Sequence, residues 1–190
     1  GAALFVTQHQ WAKNVGLVLN FEARGSSGPS YMLMETNKGN ANMVKAFTDG
    51  KADYPVSNSL MYSIYKMLPN DTDLTVFRED ANIDGYNFAF IDDHFDYHTV
   101  QDSYERMDIN SLNHQASYFM ATLNYFADAD LENLKSEEDY VYFNFPYFGM
   151  VFYPFSWVIP MFIVCVILFF VMLHFGVLKK KLTVKGIVKG

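Results

Sequence analysis

The sequence predicts an α/β head followed by one transmembrane helix. Short apolar, strand-like runs alternate with stretches whose apolar residues recur every three or four positions, the pattern of strands and helices packed in layers. From Trp157 to Val177, 21 residues pass without a formal charge, enough helix to cross the ~30 Å hydrocarbon layer of a bilayer. Charge divides near that boundary: residues 1–153 hold nine Lys or Arg against twenty-one Asp or Glu, a balance of −12, while residues 154–190 hold five Lys and no acid.

These features exclude several classes. Hydrophobic residues make up 51% and aromatic residues 17% of the 190 positions, which is incompatible with intrinsic disorder. The acidic head lacks the basic face that phosphate neutralisation requires, so no nucleic-acid partner is expected. A single Cys165 excludes a disulfide scaffold and a four-cysteine zinc site.

The elements follow in chain order. Residues 2–9 finish a helix with Leu4, Phe5 and Trp11 as apolar anchors. Val15–Glu22 reads as a buried strand and Arg24–Pro29 as a loop. Tyr31–Glu35 is a second strand. Asn40–Thr48 and Ser57–Leu68 read as helices, and Asp71-Thr-Asp opens a short helix through Phe77 with a carboxylate at its cap. Gly85–Ile91 is a third strand, and Asp92–Asp108 a solvated acidic loop. Ser111–Ala127 is an amphipathic helix whose core stripe is Leu112, Ala116, Phe119, Leu123 and Phe126. The sheet is expected to be of parallel type, with Val15–Phe21 and Phe88–Ile91 left uncovered at its edge. Tyr153, Phe155 and Trp157 form an interfacial belt at the start of the span, and Pro160 sits where a missing N–H is tolerated. The Lys179, Lys180, Lys181, Lys185 and Lys189 end is expected in the cytoplasm and the head outside it, whether periplasmic, extracellular or lumenal. The lipid bilayer is therefore one partner. Gly1-Ala-Ala-Leu-Phe does not read as a signal peptide, so an extracytoplasmic head implies further sequence upstream.

Chemistry concentrates at strand ends. Glu22 closes the first strand, and His98 follows the third. Ligand sites of open α/β sheets lie outside the carboxyl ends of strands, so the two could converge as carboxylate and imidazole ligands of zinc. A solvated strand-end Glu and a surface loop His are the alternative readings. Asp73 reads equally as a helix N-cap, and Arg24 as an ion-pair partner for the acidic loop.

Three ordered segments carry a resemblance. Asn20-Phe-Glu-Ala-Arg-Gly-Ser-Ser-Gly-Pro, Asn70-Asp-Thr-Asp-Leu-Thr-Val-Phe, and Phe88-Ala-Phe-Ile with Tyr97-His-Thr-x-x-Asp resemble the motifs of the co-catalytic zinc aminopeptidases. That family includes bacterial leucyl-type aminopeptidases, glutamate carboxypeptidase and the vacuolar membrane proteases, and the span after the head narrows the likeness to the last group. The resemblance implies a partial three-layer zinc-exopeptidase-like sandwich. It divides the chain into 1–135 (C-terminal part of a zinc peptidase domain), 136–153 (juxtamembrane connector), 154–178 (transmembrane helix) and 179–190 (basic tail). It implies two zinc ions in a complete domain, Glu22 as ligand of one, His98 as ligand of the other, and Tyr97 as the phenol that stabilises an oxyanion. Asp73 and Asp102 fall near the site, and Arg24 with the Ser26-Ser27-Gly28 loop lines a cleft for a peptide substrate.

The family's bridging Asp, second His and Glu-Glu pair all precede the Asn-x-Glu-Ala-Arg-Gly segment. Here only nineteen residues precede Asn20, and none is acidic. The expectation is thus the C-terminal half of a zinc exopeptidase domain plus the following span, inactive without the other half. The alternative is a non-catalytic membrane-anchored interaction domain.

Overall fold

The computed structural model describes residues 1–67, 71–183 and 186–187. Leu68 of the third predicted helix, Asn70 of the second motif, and Lys185 and Lys189 lie outside the described residues. The chain forms two units, Gly1–Tyr153 and Pro154 onward.

The head is built on three strands: β1 (Val18–Ala23), β2 (Ser27–Glu35) and β3 (Gly85–Asp92), in the order β1-β3-β2. β1 runs parallel to β3, placing Asn20 beside Asn87 and Glu22 beside Ala89. β2 is antiparallel to β3, so the sheet is mixed rather than of parallel type. Phe88–Ile91 lies in the central strand and is not an edge; among the described residues the edge strands are β1 and β2, and β2 carries an isolated bridge from Tyr31 to Val56 on its outer side.

Period-two alternation sends alternate residues of each strand to opposite faces. On one face Met32, Met34, Tyr86 and Phe88 form a core with Met43, Val44 and Phe47 of α2 (Ala41–Asp49) and Tyr118 and Phe126 of α5 (Ile109–Phe126). Beyond the short turn at Leu131–Leu134, β4 (Tyr140–Phe145) and β5 (Gly149–Pro154) make a hairpin that adds Tyr142 and Met150 to this core. The opposite face carries Asn20, Glu22, Leu33, Asn87 and Ala89, overlaid by α3 (Ser59–Met67) and α4 (Asp73–Ala81). α1 (Ala2–Gln8) packs against α4.

The cap of α4 differs from the expected one. Thr72, not a carboxylate, is the N-cap, and its N–H donates to the Thr75 hydroxyl at 3.2 Å. Asp73 is the first helical residue, exposed, where its charge complements the helix dipole.

α5 starts at Ile109, two residues before the expected Ser111, because Asp108 caps it, its carboxylate accepting from Ser111 N–H at 2.9 Å. Its inward face is not the predicted one. Ser111, Gln115, Tyr118 and Thr122 are buried with Phe126, whereas Leu112, Phe119 and Leu123 remain 42%, 45% and 44% exposed. A shift of one residue is a rotation of about 100°. The cause is polar: Gln115 Nε2 donates to the carbonyls of Glu22 (2.7 Å) and Phe88 (2.9 Å), and the Tyr118 hydroxyl accepts from Val56 N–H at 2.7 Å. Two backbone carbonyls and one backbone N–H find their partners only with this face inward.

On the far side of the sheet, Glu35 is buried with an oxygen 3.1 Å from Arg78 Nε. Thr75 and Tyr65 donate their hydroxyls to the same carboxylate at 3.3 and 3.2 Å. This cluster fastens α3 and α4 to β2. Removing one member of such a buried pair costs about 3–5 kcal/mol, because the other charge is left without compensation.

The second unit begins with a short turn, Phe155–Trp157, and continues as α6 (Val158–Leu178). The segment Phe155–Leu178 has a mean hydropathy of 2.8 and none of it is buried, a helix long and apolar enough to cross a membrane.

Candidate active site

β1 delivers Glu22, and the residue just after its end is Arg24; both line a cavity of about 480 Å³ on the α3 face of the sheet. The loop after β3 brings His94 and Tyr97 to the same cavity, and its walls are Leu33, Met61, Ile64, Ala89 and Ile91. A larger cleft of about 870 Å³ beside Lys13, Asp80 and Glu132 contains none of the residues singled out by sequence.

The Glu22 carboxylate is oriented from two sides. Asn20 Nδ2 donates to Oε1 at 2.7 Å, and the same nitrogen lies 2.8 Å from Asn87 Oδ1. Arg24 Nε lies 3.3 Å from Oε2, and the Arg24 guanidinium sits 5.5 Å from the centre of the Tyr97 ring. The side chain retains 25% exposure, so each oxygen keeps acceptor capacity toward the cavity. Asn87 leads on to Tyr65, whose hydroxyl is 3.5 Å from Asn87 Nδ2 and pushed up to about 12, first by burial and then by the Glu35 charge. Asn20, Asn87 and Tyr65 were not singled out as site residues by sequence. The available signal was the two-residue spacing of Asn20 and Glu22, which puts them on one face of a strand.

His98 sits outside this cavity wall. Its ring stacks on Tyr97 at 3.9 Å, its backbone is left-handed at φ +57, and its N–H donates to Asp102 Oδ2 at 3.1 Å. Asp102 therefore fixes the turn that presents His98. Gly28, left-handed at φ +90, faces away: a Cβ there would meet the Asp92 carboxylate at 2.5 Å, and the residue borders a separate groove with Pro29 and His114. Asp73 donates and accepts no described side-chain hydrogen bond of the cavity residues and belongs to the first turn of α4.

The acidic loop is only partly the solvated segment expected. Asp92, Asp93 and His94 are exposed, but Asp96 is buried, accepting from Ser26 Oγ at 2.5 Å and lying 2.9 Å from Arg106 Nε. Ser27 Oγ donates to Asp93 at 2.5 Å. The serines thus tie the β1–β2 loop to the acidic loop. Arg106 first, and then the Ser26 hydroxyl, hold the Asp96 carboxyl below its ordinary value. A carboxyl lowered in the folded state adds stability above its unfolded value of about 4, which is lost as pH falls through the folded value. In a longer protein carrying the whole domain, Asp96→Asn should therefore lower the urea midpoint at pH 7, and the gap from the unsubstituted protein should shrink at pH 3. A gap that is equal at both pH values would refute the role.

Among the described residues no group of three or more His, Cys, Asp or Glu side chains is placed to hold a metal ion. Catalytic zinc takes three protein ligands and an open position. The residues present supply a pre-oriented carboxylate and neighbouring imidazoles, and by themselves they do not complete a zinc site.

The site is thus a strand-end carboxylate held by an Asn and an Arg at a cavity that a phenol also lines, in a mixed α/β head followed by a helix long and apolar enough to cross a membrane. The comparison with known families supplies the class: residues 1–123 match Peptidase family M28, and the chain belongs to that family. It is 30% identical over 149 residues to endoplasmic reticulum metallopeptidase 1 of Rattus norvegicus, covering 77% of this chain and 16% of that protein. The corresponding human protein is 28% identical over 149 residues, covering 77% of this chain and 16% of its own. A vacuolar membrane protease of Candida dubliniensis is 29% identical over 147 residues, covering 76% of this chain and 15% of that protein. The chain thus spans about a sixth of the length of these relatives. No solved structure gives a significant match.

Proposed function

We propose that the chain is the C-terminal half of the peptidase domain of a membrane-anchored zinc exopeptidase, an aminopeptidase whose head acts outside the cytoplasm and whose lysine-rich end faces inward. The observation that carries this reading is the Glu22 carboxylate, set by Asn20 and Arg24 at a cavity shared with Tyr97, in a chain of the M28 family. In the complete domain Glu22 and His98 would each help to hold one of two zinc ions, with the remaining ligands supplied by parts of the domain outside these 190 residues. Tyr97 donates its hydroxyl to the oxyanion formed at the peptide carbonyl. The Leu33, Met61, Ile64 and Ile91 walls favour a substrate with an apolar side chain beside the scissile bond. The names of the relatives, a metallopeptidase of the endoplasmic reticulum and a vacuolar membrane protease, support a membrane-bound peptidase with a lumenal head.

The test compares this chain with a longer protein carrying the whole domain. The longer protein should contain zinc by elemental analysis and hydrolyse leucyl anilides faster than glutamyl anilides, and a chelator should abolish the hydrolysis. The 190-residue chain alone should do neither. Chelator-insensitive hydrolysis by the longer protein, or chelator-sensitive hydrolysis by the chain alone, would overturn the reading.

A further inference from the structure

The β4–β5 hairpin ends in Phe145-Pro146-Tyr147-Phe148, closed by a hydrogen bond from Phe148 N–H to the Phe145 carbonyl at 3.2 Å. Proline at the second position and a left-handed residue at the third is the pattern of a type II turn, where glycine is the favoured third residue. Here Tyr147 holds that place at φ +70. The residue is fully exposed, with Phe148 at 76% and Phe145 at 50%. The fold gains nothing from an aromatic residue at Tyr147: the hairpin is attached to the head by Tyr142 and Met150 and, up to the residue before the turn, by Asn144, whose N–H donates to the Ser57 carbonyl at 3.0 Å. Three aromatic rings in water on a turn that disfavours one of them point to an external partner.

The nature of that partner follows from position and charge. From Tyr140 to Leu178 there is no Asp, Glu, Lys or Arg, although the head as a whole is acidic. The uncharged hairpin runs without interruption into the apolar segment that begins at Phe155. Phe155 is seven positions beyond Phe148, so at about 3.3 Å per step the tip stays within roughly 23 Å of the point where the chain meets lipid. Phe and Tyr without neighbouring charge suit the zwitterionic headgroup layer, where aromatic rings bury apolar area and the phenol stays hydrated. We propose that the Phe145–Phe148 tip is a second membrane contact, seated in the headgroup layer of the bilayer that α6 crosses.

The test places a single tryptophan at the tip, Tyr147→Trp with Trp11→Phe and Trp157→Phe, in the full 190-residue chain in phosphatidylcholine vesicles. A second variant carries Phe148→Trp instead, and Trp157→Phe alone leaves Trp11 as the reference. Both tip tryptophans should emit to the blue of Trp11 and lose about half or more of their emission to lipid brominated near the headgroup, as expected for an interfacial ring, while Trp11 is not quenched. Tip emission characteristic of water would overturn the proposal. So would blue-shifted emission that bromine does not quench, the signature of cover by protein, and so would equal quenching of the tip and Trp11.

Discussion

In a longer protein with the complete peptidase domain, Glu22→Ala should remove zinc and nearly all hydrolysis. The carboxylate is already aimed, so the substitution deletes an electron-pair donor and not merely a solvated charge. Its effect should exceed the 10–100-fold that loss of a partner orienting a metal ligand typically costs. Asn20→Ala should fall within that 10–100-fold range in metal affinity, because Glu22 keeps Arg24 when the 2.7 Å contact is lost. His98→Ala should resemble Glu22→Ala, while His94→Ala, which removes a cavity-lining ring, should mainly raise KM. Tyr97→Phe should lower kcat and leave zinc in place. Elemental analysis beside kcat and KM separates these outcomes. Full activity in the His98→Ala variant would shift the ligand role to His94, which the cavity geometry already exposes.

The second large effect concerns the isolated head. Residues 1–153 should aggregate or give a broad melt. β1 leaves one side of its backbone without a strand partner among the described residues, and Leu112, Phe119 and Leu123 turn outward on α5. An unpaired edge beside an apolar stripe is the usual template for association. Phe119→Lys with Leu123→Glu should make this fragment more soluble. The same pair should lower the Tm of a longer protein in which that stripe is covered, and this reversal of sign separates a true interface from an incidental patch. A sharp, cooperative melt from a soluble, monomeric, unmodified fragment would refute the prediction.

The strands β1 and β3, the later part of β2, the main helices and the apolar span were legible because each rests on local periodicity, whereas the β4–β5 hairpin falls in the segment expected to be a connector. Val18–Ala23 and Gly85–Asp92 appear as short apolar runs, and α5 appears as a 3- and 4-residue repeat. Which side of α5 faces in was not legible. That choice is made by Gln115 and Tyr118 meeting backbone groups of Glu22, Phe88 and Val56, contacts that no hydrophobic count can register. The direction of β2 was hidden for a similar reason, since alternation is the same in parallel and antiparallel strands. In the candidate site, Glu22 and Tyr97 were found through motif resemblance. Asn20 was visible as part of a motif but not as a residue that orients the carboxylate. The burial of Asp96 depends on Ser26 and Arg106 closing over it, so composition alone marked the loop as solvated.

The hydrogen bonds that cross the sheet face, from Glu22 through Asn20, Asn87 and Tyr65 to Glu35 and Arg78, bear on how sequence variation in this chain is interpreted. Arg78 lies on α4, lines no part of the candidate cavity, and in an inventory of damaging alleles it would be filed under folding. Yet a variant there leaves Glu35 uncompensated, and Tyr65, which donates to that carboxylate, also borders the cavity. Alleles at Arg78 and Thr75 are therefore better grouped with those at Asn20 and Asn87 than with substitutions in the Met43–Phe47 core. A partial-activity phenotype at either position is informative about the site even when the protein accumulates to normal levels.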